Sequence, residues 1–299
     1  MRDQTITGAT RLVGLLGNPV AHSLSPAIHN HVYATLRLPL AYVPLQVSPE
    51  SLPVAVHALR ACGFVGANVT IPHKQAVLPF CDTLSPLSAL TGTVNTLCFR
   101  DKLLHGATTD FDGFLAALGA MKHDPAGGRI VILGNGGTAR TLAFALASKR
   151  IPSRLTLVGR DERKVRVLAD AVTAATGFSV DWATFSSPAL AAAIGEGTLC
   201  VNCTPLGMHP ETQSSPLDER LLHKGLTVFD AVYNPSITTL CKQADSAGCA
   251  WAGGLLMLVH QALASMKLWT GRDINPAIVD LQELRLLVEN GGDSGGATA

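Results

Sequence analysis

The sequence predicts an α/β fold in two parts: an N-terminal α/β domain and a Rossmann-type domain built on a doubly wound parallel sheet. Three observations carry this expectation. The 299 residues suit two domains of about 150 residues each. From Arg129 onward, short apolar runs alternate with helical patterns, the signature of parallel strands joined by crossover helices. At 47% hydrophobic and 15% charged, the chain can cover a parallel sheet on both faces, and intrinsic disorder is excluded for most of its length.

The elements follow in order. Arg11–Gly17 is a short apolar strand. A polar loop leads to Ser25 and Pro26, which read as N-cap and first helical position of a helix over 27–36. Val43, Leu45 and Val47 alternate, so 42–47 is a strand. Leu52, Val56 and Leu59 share one helical face, and Gly63 ends that helix. Residues 66–71 form another strand, closed by Pro72. In the second part, the strand 129–133 runs into Gly134-Asn-Gly-Gly137, and 138–148 is helical. The next strand is 154–158 and the next helix 161–176; strands follow at 178–181, 198–203 and 226–231, with helices between them. Helices at 254–270 and 276–289 end the pattern. The tail 291–299, poor in apolar residues, is expected to be disordered.

A formal net charge of +1 gives no electrostatic case for nucleic acid or an anionic membrane as partner. The most apolar stretch, 254–259, is cut by His260 and Gln261, short of the roughly 18 residues a membrane span needs. The N-terminal residues lack a secretory pattern, so a cytoplasmic protein is expected. Seven cysteines, scattered through apolar segments, suit buried reduced thiols better than a disulfide framework.

Gly134-x-Gly136-Gly137 stands between a strand and a helix, where a dinucleotide fold needs it. Glycine lets the backbone turn tightly and approach a pyrophosphate, and the helix N-terminus adds N–H donors and a positive dipole end. An NAD-binding chain usually carries Asp or Glu at the end of the second strand. Here Gly159 holds that place, Arg160 follows, and Arg163 and Lys164 come one turn later. Cations there suit a 2′-phosphate, so NADP is favoured. Asp161 either caps the next helix or admits some NAD use, and Arg163 and Lys164 also fit a plain solvated face.

Four polar segments punctuate the first part. Ser23 and Ser25 lie at a helix start, where hydroxyls and N–H groups hold a carboxylate. Ordinary capping explains Ser25 equally well, and Ser23 less easily. Asn68 and Thr70 share one strand face. Lys74 follows at an expected helix start, where a cation is disfavoured and so points to a carboxylate partner or a function, a solvent-facing lysine being the alternative. Asn95 and Asp110 end two further extended segments. A Lys–Asp pair polarises a carbonyl and moves a proton beside a hydride acceptor, although local patterning does not bring Lys74 to Asp110.

Other signals carry less. Cys200 and Cys203 have no second pair and fall on opposite faces of a strand. His29 and His31 diverge on their helix, so no metal site is expected. His22, His73 and His260 are isolated; each could line a cleft, although satisfied structural histidines are commoner.

Taken together, Gly17-Asn-Pro-Val-Ala-His-Ser-Leu-Ser-Pro26, Asn68-Val-Thr-Ile-Pro-His-Lys74, Val94-Asn-Thr96, Thr109-Asp110, Gly134-Asn-Gly-Gly-Thr-Ala-Arg140, Asn202-Cys-Thr-Pro205, Asp230-Ala-Val-Tyr-Asn-Pro235 and Met257-Leu-Val-His-Gln261 resemble the shikimate dehydrogenase family, including its quinate/shikimate relatives. The resemblance implies NADPH-dependent, reversible reduction of 3-dehydroshikimate to shikimate. It implies Lys74 and Asp110 as the catalytic pair and Ser23 and Ser25 on the substrate carboxylate. Thr70, Asn95 and Gln261 would hold ring hydroxyls, with Asn68 and Tyr233 nearby. Gly134, Gly136, Gly137, Thr138 and Ala139 would cradle the pyrophosphate, Arg160 with Lys164 would hold the 2′-phosphate, and Gly254 and Met257 would lie near the nicotinamide. Residues 1–110 with 254–290 would be the substrate-binding catalytic domain and 111–253 the NADP-binding domain.

Three segments depart from the family pattern: Thr108 stands where Asn is common, Leu256 lies within Gly254-Leu-Leu-Met257, and Gly159-Arg160-Asp161 keeps only the arginine. The competing readings are a quinate or dual quinate/shikimate dehydrogenase, which Ser25 disfavours, and a non-catalytic nucleotide-binding regulator, which the presence of both Lys74 and Asp110 opposes. The expected partner is a small molecule, with no nucleic acid, no membrane and no metal; a homodimer fits the reading.

Overall fold

The computed structural model describes residues 6–291. The chain divides into two compact units, Met1–Gly113 with Leu258–Leu284, and Phe114–Met257 with the chain from Arg285 on. All three divisions fall inside helices, and two of them lie one turn beyond the expected junctions at 110 and 254.

In the first unit, β1 (Arg11–Gly17), α1 (Ser25–Thr35), β2 (Leu40–Gln46), α2 (Leu52–Ala61) and β3 (Gly66–Val69) make two βαβ crossovers. β1 pairs in parallel with both β2 and β3. The remaining elements are β4 (Thr83–Leu84), α3 (Pro86–Thr91), β5 (Thr96–Arg100), β6 (Leu103–Ala107) and α4 (Asp110–Ala120), the last crossing into the second unit. β5 lies antiparallel to both β3 and β6. The sheet order is β2-β1-β3-β5-β6-β4, so this sheet is mixed. Leu52, Val56 and Leu59 of α2 pack onto Leu16, Val69 and Leu97 in the core, as the helical spacing requires.

The second unit holds β7 (Arg129–Leu133), α5 (Gly137–Ser148), β8 (Arg154–Gly159), α6 (Glu162–Thr176), β9 (Val180–Thr184), α7 (Pro188–Glu196), β10 (Leu199–Asn202), β11 (Thr227–Asp230), α8 (Thr239–Ser246) and β12 (Ala250–Gly253). Its six strands are all parallel, in the order β12-β11-β10-β7-β8-β9. The chain runs outward from β7 to β9, returns beside β7 as β10, and runs outward again. That reversal is the switch point at whose carboxyl end doubly wound sheets bind ligands. Val131, Leu133, Val158, Cys200 and Val228 fill the core on one face of the sheet.

The last helices are α9 (Leu255–Thr270), whose residues from Leu258 on belong to the first unit, and α10 (Leu281–Gly291). The helix expected over 276–289 is a short 3-10 turn, Pro276–Ile278, then α10, because Val279 is extended between them. Glu289 groups with the second unit, where Ser236 Oγ donates to its Oε1 at 3.2 Å. Gly291 closes α10 and so is not tail; residues 292–299 of the expected tail lie outside the described residues.

Two local expectations are corrected. Ser25 is not the N-cap of α1: Leu24 holds that place in a helical conformation with no side-chain cap. Ser23 Oγ instead accepts the Ser25 N–H at 3.2 Å, so the capping role passes to Ser23. Lys74 does not open an α-helix; residues 71–77 are consecutive turns ahead of a 3-10 turn, Leu78–Phe80.

Candidate active site

Lys74 and Asp110 meet. Lys74 Nζ donates to Asp110 Oδ2 at 2.5 Å. The turns after β3 deliver the lysine, and the first residue of α4 delivers the aspartate. The two side chains differ in exposure: 13% for Lys74 and 1% for Asp110. The ammonium is therefore the partner that solutes reach, with the carboxylate behind it.

Asn95 fixes that carboxylate from the other side. Its Nδ2 donates to Asp110 Oδ1 at 2.7 Å and to Thr109 Oγ1 at 3.0 Å, with Gln261 Oε1 at 3.3 Å. Its Oδ1 accepts from the Thr109 backbone N–H at 2.9 Å and from Thr96 Oγ1 at 2.8 Å. A backbone N–H only donates, so the flip of the Asn95 amide is decided by the structure. Both carboxylate oxygens of Asp110 thus accept a bond, which offsets the cost of its burial.

Asn68 lies beside them but is occupied by protein. Its Nδ2 donates to Asn95 O at 3.1 Å, Thr96 Oγ1 at 3.2 Å and Ser265 Oγ at 3.0 Å, and its Oδ1 accepts from Tyr42 OH at 2.9 Å. Thr70 is half-buried just beyond β3, its N–H bonded to Leu16 O at 2.8 Å. A Cβ on Gly17 would stand 2.4 Å from Thr70 Cγ2, so glycine at the end of β1 makes room for that threonine. Ser23 and Ser25 are half-buried at the N-terminus of α1. Gln261 and Ser265 lie one turn apart on α9, hence on one face. Thr96 and Ser265 were not expected at the site: a threonine in a strand and a serine in a helix carry no local mark, and only the four-residue step from Gln261 pointed to Ser265.

The second unit carries the glycine turn. Gly134 has φ +108, and a Cβ there would press on the Cys203 backbone at 3.1 Å, so glycine is required. Gly136, extended at the N-cap of α5, has nothing within 4 Å of its would-be Cβ, which leaves its surroundings open to a ligand. Gly137, Thr138 and Ala139 form the first turn of α5, whose N–H groups have no acceptor four residues back. At the end of β8, a Cβ on Gly159 would stand 2.9 Å from Val165 Cβ of α6. Close packing of the helix therefore explains this glycine. Arg160 and Lys164 are exposed. Asp161 Oδ1 accepts the Lys164 N–H at 3.1 Å as N-cap of α6; its carboxylate is 3.9 Å from Lys164 Nζ.

Tyr233 is half-buried in the loop after β11. That loop is braced by Asp230, which accepts from Val232 N, Asn202 Nδ2 and Thr238 Oγ1 at 3.0, 2.9 and 2.7 Å. Gly254 is buried between β12 and α9, where a Cβ would collide with Ala231 O at 2.2 Å; Met257 is 5% exposed.

Cys203 lies past the end of β10, and all seven cysteines are free. His73 Nε2 bonds Val47 O at 2.7 Å, and His31 Nε2 bonds Ile278 O at 3.0 Å. Among the described residues no His/Cys/Asp/Glu group is placed to hold a metal, and no helix is long and apolar enough to cross a membrane.

Comparison with known proteins decides the family. Residues 15–97 match the model of the shikimate dehydrogenase substrate binding domain, and residues 254–279 that of the shikimate 5'-dehydrogenase C-terminal domain. The chain is 41% identical over 269 residues to shikimate dehydrogenase (NADP(+)) of Methanothermobacter thermautotrophicus, covering 90% of this chain and 94% of that one. The chain belongs to the shikimate dehydrogenase family. Its likeness to the Moorella thermoacetica enzyme of the same name is 40% and spans 98% of both chains. The fold agrees: shikimate 5-dehydrogenase from Listeria monocytogenes, solved with shikimate and NAD, superposes with a TM-score of 0.84 at 30% identity, covering 95% of this chain and 99% of that one. Within the family, the departure at Thr108 leaves a buried Oγ1 with no hydrogen-bond partner among the described residues, while Gly159-Arg160-Asp161 keeps an exposed arginine at the end of β8.

Proposed function

We propose that this protein catalyses the NADP-dependent, reversible reduction of 3-dehydroshikimate to shikimate, a step of aromatic amino-acid biosynthesis. The observation that carries the reading is the Lys74–Asp110 pair, 2.5 Å apart, with Asn95 on the second carboxylate oxygen. NADPH, when bound, supplies the hydride. Lys74 holds the substrate carbonyl oxygen and gives it a proton as it becomes a hydroxyl. Asp110 holds the ammonium in place, and Asn95 holds Asp110.

Ser23 and Ser25 bind the substrate carboxylate at the start of α1, where N–H groups favour an anion. Thr70, Gln261 and Asn95 take the ring hydroxyls. The Asn95–Gln261 bond, at 3.3 Å the longest that Asn95 Nδ2 makes, is the one exchanged for substrate. Asn68 contributes through its neighbours, since its amide is occupied within the protein. Tyr233 lies on the substrate side of the reading and Met257 and Gly254 on the nicotinamide side. The open surroundings of Gly136 and the tight turn at Gly134 fit a pyrophosphate, with Thr138 and Ala139 adding backbone donors. Arg160, aided by Lys164, meets the 2′-phosphate; Asp161 is spent on capping α6, which supports NADP over NAD. In this reading the first unit is the substrate and catalytic domain and the second the NADP domain. We read the enzyme as cytoplasmic, which its seven free thiols support, and as a homodimer, which light scattering checks.

The test is absorbance at 340 nm with shikimate or quinate and either oxidised cofactor. Reduction of NADP+ by shikimate is expected. Turnover with quinate alone would make this a quinate dehydrogenase, and none with either substrate would leave a nucleotide-binding protein without this chemistry.

A further inference from the structure

We infer that Ser265, on α9, is a positioning residue for the Lys74–Asp110 pair; the inference rests on the function proposed above and adds a residue to it. Ser265 is fully buried. Its hydrogen bonds run to Asn68, Thr96, Thr109 and Gln261 rather than to Lys74 or Asp110, and its hydroxyl closes a ring that begins and ends on the Asn95 amide.

The ring is set by distance and donor count. Asn95 Nδ2 donates to Thr109 Oγ1 at 3.0 Å. Thr109 Oγ1 lies 3.2 Å from Ser265 Oγ, and Ser265 Oγ lies 2.8 Å from Thr96 Oγ1. Thr96 Oγ1 donates to Asn95 Oδ1 at 2.8 Å. Each hydroxyl has one proton. Thr96 spends its proton on Asn95, so its oxygen accepts from Ser265. Thr109 accepts from Asn95, so its own proton goes to Ser265 Oγ at 3.2 Å or Asn95 Oδ1 at 3.3 Å, and the shorter link is the one to Ser265. Every link then runs in one direction, and each bond polarises the next. Asn68 Nδ2 gives Ser265 a second donor at 3.0 Å, and Gln261 O, at 3.0 Å, is an alternative acceptor on its own helix.

The ring holds both ends of the Asn95 amide. The other Asn95 N–H points at Asp110 Oδ1, 2.7 Å away. Orientation thus passes from Ser265 through Asn95 to the carboxylate that holds Lys74. Without the Ser265 hydroxyl, Thr109 retains only Asn95 Oδ1 at 3.3 Å as an acceptor within the ring, and Thr96 Oγ1 loses its Ser265 donor. The amide is then held less firmly, and the catalytic pair with it.

The experiment is a kinetic cycle of wild type, Ser265→Ala, the isosteric Thr96→Val and the double variant, with shikimate and NADP+ and with thermal unfolding recorded for each. Each single variant is expected to lose about tenfold in kcat, equivalent to about 1.4 kcal/mol, with the KM for NADP+ unchanged. The double variant is expected to lose no more than either single, because a ring already open is not opened twice. A Ser265→Ala kcat equal to wild type, or a double loss equal to the product of the singles, overturns the role of Ser265. Should Ser265→Ala not fold, a Thr96→Val kcat equal to wild type overturns it alone. A wild type inert toward shikimate overturns the function itself, which separates the two failures.

Discussion

Lys74 and Asp110 are 36 positions apart in the chain and 2.5 Å apart in space. At the residue scale, such a contact is worth most where water is scarce, and Asp110 is 1% exposed. Arg160 is the opposite case, an exposed cation proposed to meet a 2′-phosphate. Arg160→Ala is expected to raise the KM for NADP+ by about tenfold or more while NAD+ is little affected, since a charge-assisted bond is worth about 1.5–3 kcal/mol; equal losses with both cofactors would remove Arg160 from the 2′-phosphate. His29 makes a pH prediction. It is stacked on Tyr42 with ring centroids 4.0 Å apart, and complete burial lowers its pKa to about 3 from 6.5. The folded state therefore resists protonation. Its contribution to stability is full above pH 6.5 and is lost as pH falls from 6.5 towards 3, by up to about 1.4 kcal/mol per pH unit. Denaturant unfolding of His29→Phe should show a shallower acid dependence than wild type over that window; identical slopes would contradict the assignment.

At the scale of elements, glycine decides where side chains go. Gly17→Ala places a Cβ 2.4 Å from Thr70 Cγ2, and the threonine must move. The expected result is a rise of several-fold in the KM for shikimate, with the KM for NADP+ unchanged, at a stability cost of about 1–3 kcal/mol; an unchanged shikimate KM would take Thr70 out of the substrate site. What was legible in the sequence follows from how local each feature is. The glycine turn was readable because a strand, Gly134, Gly136 and a helix start are neighbours in the chain. The doubly wound sheet was readable because its strands are buried apolar runs. Capping was misassigned between Ser23 and Ser25 because it depends on the backbone angles of Leu24. The helix expected at Lys74 failed because residues 71–77 turn without forming one. The role of Thr96 carried no local mark, and that of Ser265 only its four-residue step from Gln261, because both roles arise when β5 and α9 of the first unit come together.

At the scale of the whole molecule, the work divides between two units. The first carries Lys74, Asp110, Asn95 and the proposed substrate residues other than Tyr233; the second carries the glycine turn, Tyr233 and the six-stranded parallel sheet. The proposed domain roles predict that losses in the first unit spare NADP+ binding and that losses at Arg160 spare shikimate. The central claim is that the Lys74 ammonium, held by Asp110, moves the proton that accompanies hydride transfer. Its most direct test is a single-turnover measurement at 340 nm on Lys74→Ala, with shikimate affinity measured separately by equilibrium binding. The expected result is a hydride-transfer rate lower by about 10²–10⁴-fold with shikimate affinity changed only a few-fold. A Lys74→Ala rate equal to that of wild type would contradict it.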